Sequence, residues 1–171
     1  GGGYKDSQGI IKDIIPIRGV DGELVGCSFR DIRENIKIDD KYKTFVNKDK
    51  VLYNLYNAKK YLHEKPLVIV EGFKSVWRLY ELGIKNVICI MGSEITPGQV
   101  PIIQSYAAKG AVVMFDNDFA GIKGAFKAYK QLSRKTPTSL VFITEIDNDG
   151  KGLDPADLTD EQLLFYLKDY C

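Results

Sequence analysis

Asp116 and Asp118 stand two residues apart, directly after the apolar run Ala111-Val112-Val113-Met114-Phe115 and just before Phe119-Ala120-Gly121. At the mouth of a buried strand, such a pair can converge on a hard divalent cation, and oxygen donors favour Mg²⁺ or Mn²⁺. Two more acidic positions follow apolar runs. Glu71-Gly72 closes Leu67-Val68-Ile69-Val70, and Asp154-Pro155-Ala156-Asp157 comes after the run from Leu140 to Thr144. Open α/β sheets place their chemistry just outside the C-terminal ends of their strands. Glu71 is a candidate third ligand, or a general acid or base whose charge a metal would tune. Asp154 would complete an acidic ring. Like charges gathered this way repel unless a cation offsets them, and that cost is the argument for a metal. The competing reading has Asp116 and Asp118 capping the next helix, a position Asp favours. Gly72 and Gly121 are open in the same way: either tight turns, or points where backbone approaches a phosphate or metal closely.

These residues need a scaffold. From Leu67 onward, apolar runs alternate with helical stripes. Strands are expected at 67–70, 87–90, 111–115 and 139–144, and helices at 74–82, from Thr96-Pro97 to about Ala108, at 121–133 and from Thr159 to Lys168. Gly83 and Gly110 fall where left-handed helix ends are expected. Alternation of this kind implies a parallel sheet with right-handed crossovers, an α/β class. The earlier part reads differently. Ile14 to Val20 and Glu23 to Phe29 flank Asp21-Gly22, a strong hairpin signal. Residues 31–50 are polar, with one short strand at 43–46, and 51–62 carries a helical stripe. The expected division is therefore 1–65, a small hairpin-and-helix subdomain, and 66–171, the parallel α/β domain. Gly1-Gly2-Gly3 has the look of a cloning remnant and is left aside.

The bulk numbers narrow the function classes. The chain has 171 residues, 24 basic and 23 acidic, with 44% hydrophobic content, the profile of an ordinary globular protein. Residues 1–65 hold 13 basic and 10 acidic residues, and 66–171 hold 11 and 13. A slightly basic first part thus precedes an acidic site. Cys27, Cys89 and Cys171 have no zinc-ligand spacing, so a reducing, cytoplasmic setting is expected. His63 is the only histidine, which argues against Ser-His or Cys-His catalysis. No apolar run approaches about 18 residues, so no membrane span is expected.

Taken in order, four stretches resemble the Toprim domain as it occurs in bacterial and phage DnaG-type primases. They are Val70-Glu71-Gly72-Phe73, Met91-Gly92-Ser93 with Thr96 and Gln99, Phe115 to Gly121, and Gly150-Lys151-Gly152-Leu153-Asp154-Pro155-Ala156-Asp157-Leu158. Upstream, Ile15-Pro16-Ile17-Arg18, Asp21-Gly22, Val25-Gly26, Arg30, Lys41-Tyr42 and Val51 to Leu55 resemble the end of the primase's basic N-terminal subdomain. The resemblance spans residues 10–168. It implies DNA-directed synthesis of RNA primers by metal-dependent nucleotidyl transfer, with single-stranded DNA as template and ribonucleoside triphosphates as substrates. It implies that Glu71 is the catalytic glutamate and that Asp116, Asp118 and Asp154 hold Mg²⁺ or Mn²⁺. Arg18, Arg30, Lys41, Lys43 and Lys74 would contact nucleotide or template, with solvated surface charge as the alternative for each. Ser75 and Ala156 stand where many relatives carry acids, and Asp157 falls out of register. The zinc module and the regions through which a primase meets its replicative helicase are not in this chain, so a fragment of a longer protein is expected. Two other readings stay open: a Toprim metal-dependent nuclease, and a degenerate module that binds nucleic acid or helicase.

Overall fold

The computed structural model describes residues 2–5, 7, 9–33 and 41–170. Gly1, the polar stretch 34–40 and Cys171 lie outside the described residues. The chain forms two compact units, Gly1–Asn47 and Lys48–Cys171.

The first unit is an antiparallel sheet of four strands in sequence order: β1 (Gly2–Lys5), β2 (Ile11–Arg18), β3 (Leu24–Asp31) and β4 (Tyr42–Phe45). Ile15 and Ile17 alternate inward on β2, the two-residue period of a half-buried strand. The turn forms where Asp21-Gly22 predicts it, but it is longer than two residues. Gly19 N–H donates to the Glu23 carbonyl, Asp21 accepts from Glu23 N–H, and the register slips between Ile17 and Arg18. Gly22 supplies the positive φ, 95°. Gly2 and Gly3 are not extraneous to the sheet, since they pair with Ile14 and Asp13.

The second unit is a parallel sheet in the order β6-β5-β7-β8, with β5 (Leu67–Val70), β6 (Val87–Cys89), β7 (Ala111–Val113) and β8 (Thr138–Leu140). Every residue of β5, β6 and β7 is buried, as expected when both faces of a parallel sheet are covered. The helices are α1 (Leu55–Ala58), α2 (Phe73–Glu81), α3 (Gln99–Tyr106), α4 (Phe119–Leu132) and α5 (Asp160–Leu167). Gly83 and Gly110 have φ of 90° and 101°, the left-handed ends anticipated from sequence. Thr159 and Gln162 close α5 with a reciprocal capping box.

The helix expected over 51–62 is mostly something else. Tyr53 exchanges both backbone hydrogen bonds with Cys89 at the edge of β6, which holds the chain extended there. Only residues 55–58 are α-helical, followed by a 3-10 turn at Lys59–Tyr61. Leu52, Leu55, Ala58 and Leu62 pack into the same core as Leu67, Ile69 and Ile88. That shared core is why the compact units part at Asn47 and not near residue 65.

Candidate metal centre

The strand order sets the location. From β5 the chain passes through α2 to β6 on one side, then through α3 to β7 on the other side of β5. The direction reverses between β5 and β7, and the crevice outside that point is where doubly wound sheets bind ligands. Glu71 leaves β5 at this crevice. Asp116 follows β7, and its backbone N–H donates to Glu71 Oε1 at 3.2 Å.

Asp118 and Asp116 have different jobs. Asp118 is the N-cap of α4, accepting from Gly121 N–H at 2.7 Å. The capping alternative therefore holds for Asp118 through one oxygen, and a carboxylate has a second. Asp116 caps nothing. Its Oδ1 is buried without a hydrogen-bond partner among the described residues. Asp154 does not sit at a strand end. Loop 145–153 folds back to deliver it: Leu153 N–H donates to the Glu145 carbonyl, and Asn117 N–H donates to the Leu153 carbonyl. Asn117 Nδ2 also donates to the Glu145 carbonyl at 3.0 Å. Asp154 Oδ1 accepts from Ala156 N–H at 2.7 Å.

The electrostatics report one coupled cluster. Burial, and then the charge of Asp116, push Glu71 up to about 8, with Asp118 and Asp154 adding to the rise. Burial, then Asp154, Asp118 and Asp157, push Asp116 up to about 7. Burial and Asp157 raise Asp154, while Lys74 lowers it. Carboxylates raised by one another want either protons or a cation. Among the described residues, no three His, Cys, Asp or Glu side chains close into a preformed metal cage. An open arrangement suits Mg²⁺, which keeps waters and takes one or two carboxylates plus substrate phosphate. The all-oxygen donor set and the orphaned Asp116 Oδ1 fit such an ion.

A pH prediction follows for the metal-free chain. Glu71 and Asp116 have folded values raised above their unfolded ones, so their neutral forms favour folding. That contribution is fully present below about pH 4 and is lost as pH rises through 7 to 8. Melting temperature in chelator should therefore fall from about pH 5.5 to about pH 8.5. A flat profile would show that the two carboxylates are not coupled as described.

The two glycines separate. A Cβ on Gly121 would lie 2.2 Å from the Asp116 carbonyl and 2.7 Å from Glu71 Oε1. Gly121 is thus reserved for packing within the site. A Cβ on Gly72 would meet nothing within 4 Å, and its φ of −120° suits any residue. Lys74 is exposed, with its charge felt at Asp154. Arg18, Arg30, Lys41 and Lys43 belong to the first unit, which does not gather them. Arg18 donates to the Gly22 carbonyl at the hairpin turn, whereas Arg30 pairs with Asp13 at 3.4 Å toward the other end. Lys43 lies over the Phe45 ring, and Lys41 is half-buried just before β4.

Three residues escaped the sequence reading. Asp157 was set aside as out of register, yet its charge reaches both Asp154 and Asp116. Lys151 lowers Asp116; its signal was a lone cation between Gly150 and Gly152 in an acidic loop. Lys48 donates to the carbonyl of Met91, which holds a left-handed φ of 59° and whose N–H donates to the Glu71 carbonyl. No sequence signal marked Lys48.

Residues 65–144 match the family described as the Toprim domain. The DNA primase of Helicobacter pylori strain J99 is 26% identical over 160 residues, covering 92% of this chain and 28% of that protein. The DNA primase of Aquifex aeolicus is 29% identical over 132 residues, 68% of this chain and 25% of that protein. The crystal structure of the Aquifex aeolicus primase zinc-binding and RNA polymerase domains aligns over 99% of this chain and 44% of that one, with a TM-score of 0.77 and 25% identity. A DnaG primase catalytic domain bound to single-stranded DNA shares the fold, with a TM-score of 0.73 and 23% identity over 93% of this chain and 51% of that one. This chain thus spans about a quarter of the length of the curated relatives it matches. Sheet order, acidic crevice and these likenesses agree: residues 65–144 match the Toprim domain, and the chain is similar over most of its length to cores of the DnaG-primase type.

Proposed function

We propose that this chain is the catalytic core of a DNA primase, extending RNA primers on single-stranded DNA from ribonucleoside triphosphates. The observation that carries the reading is the buried, unpartnered Asp116 Oδ1 inside a cluster of mutually raised carboxylates. Asp116, Asp118 and Asp154 would hold Mg²⁺ or Mn²⁺. A bound divalent ion supplies charge neutralisation for the triphosphate and for the developing charge of transfer. Burial and the neighbouring carboxylates push Glu71 up to about 8 in the metal-free chain, and a bound cation would draw it back to the carboxylate form. Glu71 would accept the proton of the attacking 3′-hydroxyl as that oxygen bonds to the α-phosphorus and pyrophosphate leaves. Lys74 and Lys151, whose charges reach the acidic cluster, would meet phosphate oxygens. Arg18, Arg30, Lys41 and Lys43 would serve the template or nucleotide through backbone contacts that carry no sequence preference. Gly72, with open space in front of it, would let a phosphate approach the backbone.

A replicative helicase would be met through regions outside this chain, and the setting is cytoplasmic, in keeping with the unpaired thiols of Cys27 and Cys89. Among the described residues, no helix is long and apolar enough to cross a membrane. The test is a de novo primer assay on a longer protein containing this chain, with single-stranded template, labelled ribonucleotides and Mg²⁺ or Mn²⁺. Oligoribonucleotides that vanish in Glu71→Gln are expected. No product on any template would end the primase reading.

A further inference from the structure

A second concavity in the second unit lies apart from the acidic crevice. A cavity of about 370 Å³ opens between the C-terminal half of α2 and the segment leading through α1, beside the edge strand β6. Tyr53, Trp77 and Tyr80 give it aromatic walls, and Asn54, Asn57 and Glu81 give it polar edges. Its volume lies in the range of small-molecule sites, about 300–1,000 Å³. It is separate from the metal centre, because α2 carries the chain about 12 Å from its cap at Gly72 to Tyr80.

Existing bonds fix which polar atoms remain. Trp77 Nε1 donates to Tyr53 Oη at 2.9 Å, leaving the Tyr53 hydroxyl its own proton to give. Asn54 Nδ2 donates to the Val87 carbonyl and Asn57 Nδ2 donates to Asn54 Oδ1, each at 2.9 Å. One Asn57 N–H and its Oδ1 are left as a donor beside an acceptor. That is the amide pattern that reads the adenine N6/N7 edge. Glu81 adds a second acceptor for an exocyclic amine. Aromatic walls stack any base. Beside it, Lys85 Nζ lies 5.5 Å from the Tyr80 ring centroid. This ammonium group suits a phosphate attached to the bound base.

We infer that this cavity is a second, metal-independent nucleobase pocket, taking an amino-bearing base against the aromatic side chains of Tyr53, Trp77 and Tyr80, with its phosphate toward Lys85. The base comes either from a free nucleotide or from single-stranded nucleic acid passing over this face.

Trp77 is the chain's single tryptophan, so its fluorescence reports on this cavity alone. Titrations of the chain in EDTA with AMP, UMP and a twelve-residue oligodeoxyadenylate form the test. Quenching is expected, stronger for AMP than for UMP, and unchanged in Asp116→Asn. Asn57→Ala, at an exposed side chain, should weaken AMP binding about 30-fold, as for two lost hydrogen bonds. Lys85→Glu should weaken AMP but not adenosine. Quenching by AMP assigns the pocket to free nucleotides. Quenching by the oligomer alone assigns it to single strands, and both outcomes support it. No quenching by any probe, equal quenching by AMP and UMP, or unchanged affinity in Asn57→Ala would overturn it. Because EDTA removes the metal, failure here leaves the primase reading intact, and a longer protein that makes no primer on any template leaves the pocket intact.

Discussion

Asp116→Asn is expected to abolish primer synthesis while making the metal-free chain more stable. The two effects share one cause. Asp116 is a half-buried carboxylate facing Asp154, Asp118 and Asp157, with one oxygen buried and unpartnered. In the absence of a cation its charge is a liability. Removing that charge should raise stability at pH 8 by about 2 kcal/mol, discounted for partial solvent access. In the presence of a cation the same charge would help to hold it. Loss of the charge should cost several kcal/mol of transition-state stabilisation, on the order of a 10³-fold fall in rate. Melting curves in chelator, Mn²⁺ calorimetry and primer yield from the longer protein check the three parts. A variant that loses stability without metal would show that Asp116 is a structural residue. Unaltered Mn²⁺ binding would move the metal elsewhere.

Gly121→Ala should be nearly as damaging by a different route, and Gly72→Ala should not. At Gly121 the added methyl would sit 2.2 Å from the Asp116 carbonyl and 2.7 Å from Glu71 Oε1. The first neighbour is backbone and cannot swing aside. Either α4 moves away from the β7 end, or Asp116 moves with its carboxylate. Overpacking of this kind costs about 1–3 kcal/mol. It also breaks the Asp118 cap on Gly121 N–H, adding about 1 kcal/mol. A melting temperature lowered by several degrees, together with weakened Mn²⁺ binding, is the expected result. Gly72→Ala should melt within a degree or two of the wild type, because its Cβ finds open space at an ordinary φ. Equal stability of the two variants would show that the crevice can relax around Gly121.

The parallel sheet and its helix ends were legible in the sequence because local physics dictates them. Runs such as Leu67–Val70 and Ala111–Val113 are apolar throughout, as strands buried on both faces must be. Gly83 and Gly110 mark left-handed helix ends that other residues adopt at a cost. The stripe at 51–62 misled because Tyr53 finds better hydrogen bonds on Cys89 than in a helix, and tertiary pairing overrides a modest helical preference. The domain break misled for a related reason. Composition changes near residue 65, but Leu52, Leu55 and Leu62 need the parallel sheet to bury them.

For the site, sequence alone determined the residue types: Glu71, Asp116, Asp118 and Asp154 as oxygen donors, each tied to an apolar strand or the loop after it. It could not determine their convergence. Whether Glu71 and Asp116 meet depends on β5 and β7 being neighbours at the reversal of strand order, a choice made by long-range pairing. Whether Asp154 reaches them depends on loop 145–153 folding back onto Asn117. The division of labour between Asp118, which caps α4, and Asp116, whose Oδ1 is left buried and unpartnered among the described residues, was likewise decided by tertiary structure. Charge repulsion is a function of distance, and only the folded chain sets the distances.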